Sequence, residues 1–362
     1  MTLIGPTLGR YLAVRFVRTI VGVFLTVFVL IYALDFVELV RRTGDVADVP
    51  AYVLAQLSLL RTPAIAEQIQ PFAILFGAMV ALLNLSRKLE LVVARAAGVS
   101  VWQFLFPPLL VAVGLGIFTT TIYNPLAAYM KEEASVLEIA RLGKSKVTSD
   151  RDLWVRQRSQ DGQAIIRAST ATETGADLSN VTVFEFDRDG RFVNRVQAAR
   201  ATLGSGFWNL SDVRIVGVGV EPQAFKTYQI ATSMTPEQVR QSFSTGSSTP
   251  FWELPGLIRQ TERAGLDATR YRLQYQSLLA RPLLFAAMVF IAASVSLRFF
   301  RFGGVARMVL GGVAAGFVLY VATQLVENLG AAGILSAVVA AWSPAFVGSL
   351  LGTLVLLYQE DG

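Results

Sequence analysis

Residues 87–98 read RKLELVVARAAG, a charged amphipathic dodecamer set between two stretches apolar enough to cross a bilayer. At helical spacing Leu89, Val92, Val93 and Ala96 share one face, Arg87, Lys88 and Arg95 supply cationic edges, and Glu90 contributes a lone carboxylate. A short segment of this kind is either a surface loop that orients the chain or a lever through which a soluble motor moves membrane helices.

Working outward, the chain is too apolar for a soluble globular protein: of 362 residues, 53% are hydrophobic and only 16% charged. Uncharged or nearly uncharged runs cover 19–34, 68–86 and 96–130, and, after a long polar stretch, 282–297, 308–326 and 328–359. Each can cross the hydrocarbon core once flanking side chains snorkel, so six spans is the economical count. The two longest runs exceed one span and are expected to include interfacial turns.

Lys/Arg bias orients these spans. Arg10, Arg15 and Arg18 precede the first, Arg87, Lys88 and Arg95 follow the second, and Arg298, Arg301 and Arg307 follow the fourth. Six spans put all three groups on one side, which is then cytoplasmic together with both termini, while roughly 131–271 lies outside. The first span lacks a small-residue cleavage signature and reads as a retained anchor.

Cysteine and histidine are both absent. No disulfides support the exterior domain, and zinc, haem, thiol and Ser–His or Cys–His nucleophile chemistry are excluded. The net charge of +6 is explained by the orienting cations and calls for no nucleic-acid partner.

The exterior segment reads as β. Runs at 153–157, 164–169, 181–187, 192–203, 208–220 and 225–232 are separated by turn chemistry: DRDGR at 187–191, Gly204 with Gly206, and Thr174-Gly175. Phe184 and Phe186 share one face and Val181 and Val183 the other, which argues for strands covered on both sides, as in a sandwich or jelly roll. The expected fold is an integral membrane α-helical bundle of six transmembrane helices with an inserted exterior all-β jellyroll-like domain. Its parts are 1–135 with the first three spans and the charged helix at 87–98, 136–250 as the β domain, and 251–362 as a connector and the last three spans.

Catalytic and metal-binding constellations are not encoded. Gly143-Lys144-Ser145 resembles a P-loop tail, but the position five earlier is Glu138 rather than glycine. Intramembrane carboxylates are more informative because each is costly to bury. Asp35 and Glu38 stand one turn apart at the end of span one, followed by Arg41 and Arg42; Glu67 lies near the start of span two and Glu327 near the end of span five. Snorkelling at the interface is the plain expectation for all of them. Gly312 with Gly316, and Gly348 with Gly352, mark faces where another helix approaches closely.

These residues together resemble a known family. The pattern comprises 8–12 (LGRYL), 71–77 (PFAILFG), 90–100 (ELVVARAAGVS), the β domain, Arg270-Tyr271, 316–320 (GFVLY) and 342–344 (WSP). It is similar to the LptF/LptG (YjgP/YjgQ) permeases of the lipopolysaccharide export ABC transporter, and 35–38 (DFVE), GFVLY and the acidic carboxyl tail look most like G-type members. The resemblance implies a non-catalytic inner-membrane subunit of a Gram-negative organism, paired as a heterodimer with an LptF-like permease. It also implies two copies of a cytoplasmic LptB-like ATPase carrying the ATP and Mg, LptC- and LptA-like bridge proteins, and lipopolysaccharide as cargo. No cofactor is expected on this chain.

On that resemblance, coupling to the ATPase falls to Arg87, Lys88, Glu90, Leu91, Arg95 and Gly98. The lipid is expected between spans one and five, against Phe24, Phe28, Phe317, Tyr320, Val321 and Gln324. Asp35, Glu38, Arg41 and Arg42 form the polar rim; Asp35 stands where G-type members can carry lysine, which implies either that phosphate binding rests on Arg41 and Arg42 or that the lipid of this organism carries fewer phosphates. Two other readings are the F-type partner and a mechanotransmitting ABC subunit that moves no lipid; a membrane-anchored enzyme acting on lipid head groups is the third class.

Overall fold

The computed structural model of the protein describes residues 5–43, 49–142, 153–159, 162–171, 177–187, 191–204, 206–217, 222–232, 249–263, 267–302 and 305–360. The chain divides into two compact units, Met1–Ser135 with Ser248–Gly362, and Val136–Ser247.

In the first unit the helices are α1 (Pro6–Thr43), α2 (Ala51–Arg87), α3 (Glu90–Ala96), α4 (Val101–Phe118), α5 (Asn124–Leu142), α6 (Leu254–Arg263), α7 (Thr269–Phe302), α8 (Val305–Ala331) and α9 (Ala337–Glu360). Among the described residues six segments are long and apolar enough to span a membrane: Pro6–Thr43, Ala51–Arg87, Val101–Glu138, Thr269–Ser296, Val309–Ala331 and Ala337–Tyr358. The six spans expected from the apolar runs are therefore present, but several helices outrun their runs. A helix satisfies its own backbone hydrogen bonds and continues into charged flanks whose side chains reach water. The long run at 96–130 begins its span only at Val101, after a capping box in which Ser100 Oγ accepts from Gln103 N and Gln103 Oε1 from Ser100 N. The run at 328–359 is cut by a turn in which Gly333 takes a φ of 75°, with α8 ending at Ala331 and α9 starting at Ala337.

The core of this unit centres on α2, α4 and α7, with Leu75, Leu82, Leu105, Phe285 and Ala292 fully enclosed. Lipid tails are as apolar as leucine, so close packing rather than water exclusion holds such helices together. The glycine faces serve that end within the chain. A side chain at Gly312 would overlap the Met79 sulfur and one at Gly316 would overlap Leu75, both on α2; at Gly352 it would meet Phe290 on α7.

In the second unit six strands, β1 (Leu153–Ser159), β2 (Gly162–Ala171), β3 (Asp177–Phe186), β4 (Phe192–Leu203), β5 (Phe207–Gly217) and β6 (Gln223–Ala231), pair antiparallel in chain order. All six expected strands exist. Their described topology is one meander, without the crossovers that define a jelly roll. One face is covered: Ile166, Leu178, Val181, Val183, Val196, Ala201, Trp208, Leu210 and Val213 build a closed apolar cluster. Phe184 and Phe186 lie on the other face and are half-buried, so the expectation of strands sealed equally on both sides is corrected.

The uneven alternation has a local cause. The ladders skip Asn180, Ala199 and Asp212, and Asn180 and Asp212 take left-handed φ of 49° and 54°. At each skipped residue the buried parity switches, from 178 to 181, from 198 to 201 and from 210 to 213. The skips continue in line through Ser169 and Lys226 on the flanking strands, and their alignment keeps one face inward through a change of phase.

Candidate functional site

Three clusters of the first unit carry the residues singled out from sequence. The first is α3. Leu89, with a φ of 59°, and Gly98, with a φ of 84°, bracket it, so the backbone turns sharply at both ends of a single seven-residue helix. Leu91 is only 5% exposed and packs into the core with Leu12, Phe16 and Leu85. Of the residues expected to couple, Leu91 is the one turned into the chain's own core, where it anchors the helix. Leu89, Val92, Val93, Arg95 and Ala96 are exposed, as are Arg87, Lys88 and Gly98. The amphipathic face therefore points away from the chain's own core.

Glu90 is engaged within the chain. Its carboxylate accepts from Tyr11 Oη at 2.8 Å and from Arg15 Nη1 at 2.9 and 3.0 Å. Burial alone would raise this carboxyl; hydrogen bonds from Tyr11 and Arg15 and the guanidinium charge outweigh it and hold the group below its ordinary value. Tyr11 and Arg15 are not among the expected site residues. They sit one helical turn apart on α1, a spacing visible in the sequence, but which carboxylate they meet is a tertiary fact.

The second cluster is the end of α1. Arg41 donates through Nε and Nη2 to both oxygens of Glu38 at 2.9 and 3.0 Å, and Arg42 Nε donates to Glu38 Oε1 at 2.6 Å. Both arginines, expected to hold lipid phosphate, are thus already paired, and any phosphate here shares them with Glu38. Asp35 Oδ2 is buried with no hydrogen-bond partner.

The third grouping is the exposed apolar surface of α1 and α8. In the apolar windows of the six spans, 11% of residues are buried for Pro6–Thr43 and 17% for Val309–Ala331, against 61% for Ala51–Arg87 and 56% for Thr269–Ser296. Val21, Leu25, Val29, Leu30 and Leu34 are exposed along α1, and Val313, Phe317 and Val318 along α8. Of the expected lining, Phe317 and Gln324 are exposed and Val321 half-buried. Phe24 and Phe28 meet at a tilt, their centroids 6.1 Å apart, and Phe24 meets Tyr123 edge-on at 5.9 Å, while Tyr320 packs on Phe72 at 5.2 Å. Those three rings flank the open surface from its packed side.

A polar knot inside the bundle differs from the sequence expectation. Glu67 is only 8% exposed, deep in α2 rather than at an interface, and it is paired, not snorkelling. Arg281 Nη1 reaches its Oε1 at 2.5 Å and Asn124 Nδ2 donates to the same oxygen at 2.8 Å. Asn124 Oδ1 in turn accepts from Phe251 N at 3.0 Å. A π-helical turn at Thr119–Tyr123 immediately precedes Asn124; such a turn adds a residue and re-aims the side chains beyond it. Glu327 accepts from Ser277 Oγ at 2.9 Å.

The sequence profile of the family "Lipopolysaccharide export system permease LptF/LptG" matches residues 10–359. The chain belongs to this LptF/LptG family. Its relatives include the lipopolysaccharide export system permease protein LptG of Escherichia coli (strain K12), 24% identical over 333 residues covering 88% of this chain and 89% of the relative. The protein of the same name from Haemophilus influenzae is 23% identical over 361 residues, covering 97% of this chain and 96% of the relative. As an LptF/LptG permease the chain is a multi-pass membrane subunit of lipopolysaccharide export.

Proposed function

We propose that this chain is the G-type permease of a lipopolysaccharide exporter, using spans one and five as one flank of a lipid cavity closed by a homologous F-type partner. The observation that carries this reading is the unequal burial of the spans. A helix buried over only 11% of its apolar window is packed on one side at most, and such helices need lipid, cargo or another subunit against the remainder. Spans one and five share that property, and both present branched and aromatic apolar side chains suited to acyl chains. The relatives with matching length carry the G-type name.

The assembly follows from the same reading. The α3 face of Leu89, Val92, Val93 and Ala96 docks on a cytoplasmic ATPase, one copy for each permease, and ATP is hydrolysed there rather than on this chain. Glu90, braced by Arg15, passes the ATPase's motion directly to span one. The first unit lies in the inner membrane with both termini cytoplasmic, and the β unit is periplasmic. There β6, at one end of the described ladder and largely exposed, offers strand pairing to the next bridge domain.

The test is copurification and transfer. The chain, expressed with the second permease and ATPase encoded in the same organism, is expected to purify as one complex and to release lipopolysaccharide from vesicles to a soluble bridge protein only with hydrolysable ATP. Release by the chain without the ATPase, or a stable complex that hydrolyses ATP without moving lipid, would refute the reading.

A further inference from the structure

At the end of α1 opposite Arg41 and Arg42 lies an open groove of about 620 Å³ lined by Thr7, Arg10, Tyr11, Val14, Arg18 and Lys88, with Arg15 at its wall. Helical spacing accounts for the lining: 7, 10, 11, 14 and 18 fall on one face of α1, while Leu12, Phe16 and Ile20 occupy the opposite, buried face. Lys88, at the C-cap of α2, closes the groove from the other side. Its charge is unbalanced. Arg15 is neutralised by Glu90, but Arg10, Arg18 and Lys88 have no carboxylate within ion-pair distance among the described residues.

We infer that this groove binds the phosphate head group of an anionic membrane lipid, separately from the export cargo. The nearest carboxylate, Glu90, is already taken up by Tyr11 and Arg15, which leaves Arg10, Arg18 and Lys88 in excess of the negative charge at the recess, and a phosphodiester supplies the acceptor oxygens that guanidinium and ammonium groups take up. The occupant is a lipid rather than a soluble anion because the cationic stripe runs straight into an apolar one. Beyond Arg18 the same face of α1 continues with Val21, Leu25 and Val29, all exposed; at 1.5 Å per residue the stretch from Arg18 to Val29 is about 16 Å long, the reach of an acyl chain down one leaflet. Basic recesses at the membrane surface between spans are suited to such head groups. The groove also adjoins the contact of Arg15 with Glu90, so a bound lipid braces the joint between α1 and α3. The inference rests on the groove and the stripe, not on the proposed transport cycle.

The test uses the full chain in vesicles of phosphatidylcholine with a minor fraction of phosphatidylglycerol. A photoreactive residue at Val14, which leaves every charge in place, is expected to crosslink phosphatidylglycerol severalfold above its share of the lipid, and a control at Leu350 on α9 in simple proportion to it. High salt should erase the enrichment. Replacing any one of Arg10, Arg18 and Lys88 by glutamine should reduce it by up to about fivefold, and replacing all three should leave labelling in simple proportion to the lipid's share, with Arg15 and Glu90 kept to preserve the fold. Equal labelling at Val14 and Leu350 overturns the inference. So does labelling of the ATPase in place of lipid when the whole complex is reconstituted, which would make the groove a protein-docking surface.

Discussion

Spans two and five pack against each other through Gly312 and Gly316, yet they are built on different principles. Span two is buried over 61% of its apolar window and span five over 17%. Span two holds Glu67, committed to Arg281 and Asn124; span five carries Phe317, 58% exposed, and Val318 beside it. Span four shares the enclosed character of span two, and span one the open character of span five. The contrast separates helices that hold this subunit together from helices left free to meet something else. Inside the bundle an ion pair is tolerated only where both charges are partnered, because leaving either one alone there is costly. A working surface needs the reverse: apolar side chains with no commitment inside the chain.

If that division is right, damage should fall unevenly, and the largest loss comes from the enclosed pair. Arg281→Met removes the guanidinium paired with the buried Glu67 carboxylate, a change of a kind that costs about 3–5 kcal/mol. Thermal unfolding of the purified chain should drop sharply, and Glu67→Gln in the same background should recover part of the loss. An unchanged midpoint would mean that the bundle is held elsewhere.

A smaller effect is expected where the two kinds of helix meet. Gly316→Leu drives a branched side chain into Leu75, and overpacking typically costs about 1–3 kcal/mol. Span five should separate from span two while spans two and four stay paired, measurable as faster disulfide formation between cysteines placed on spans five and two in the parent than in the variant. The chain has no native cysteine, so such pairs report cleanly.

The smallest effect concerns the joint between α1 and α3. Glu90 has a folded-state value below its ordinary one, so its contribution is fully present above the unfolded value, about 4.3, and disappears as pH falls through the folded value. Protection of the amides across Glu90–Ala96, taken as exchange relative to the intrinsic rate at each pH, should therefore fall on acidification below about pH 4, and Glu90→Gln should flatten that profile. A profile unaffected by the substitution would detach Glu90 from the anchoring of α3.

Much of this is legible in the sequence, for identifiable reasons. Apolar runs reveal spans because a bilayer forbids unpaired backbone, and the six β-rich runs reveal strands because turn residues punctuate them. Reading stops where tertiary pairing decides. Glu67 looks interfacial next to Arg61 and Pro63, and only the π-helical turn before Asn124 and the position of Arg281 show that it is enclosed. Leu91 looks like part of a docking helix, yet the left-handed turn at Leu89 rotates it into the core. Strand faces are misread because residues 180, 199 and 212 reverse the alternation, and single-strand periodicity carries no record of a fault aligned across neighbours. At the rim, helical spacing brings Glu38, Arg41 and Arg42 together, but it does not say that their mutual pairing competes with phosphate.

The central claim, that spans one and five are the open working flank, is tested most directly by photocrosslinking in the assembled exporter. Photoreactive residues at Leu34 on α1 and Phe317 on α8 are compared with Val347 and Leu354 on α9, which are similarly exposed in the isolated chain. The account predicts lipopolysaccharide adducts at Leu34 and Phe317 that diminish when ATP is hydrolysed, with neither adducts nor ATP response at Val347 and Leu354. Adducts of equal strength at all four positions, indifferent to ATP, would contradict it.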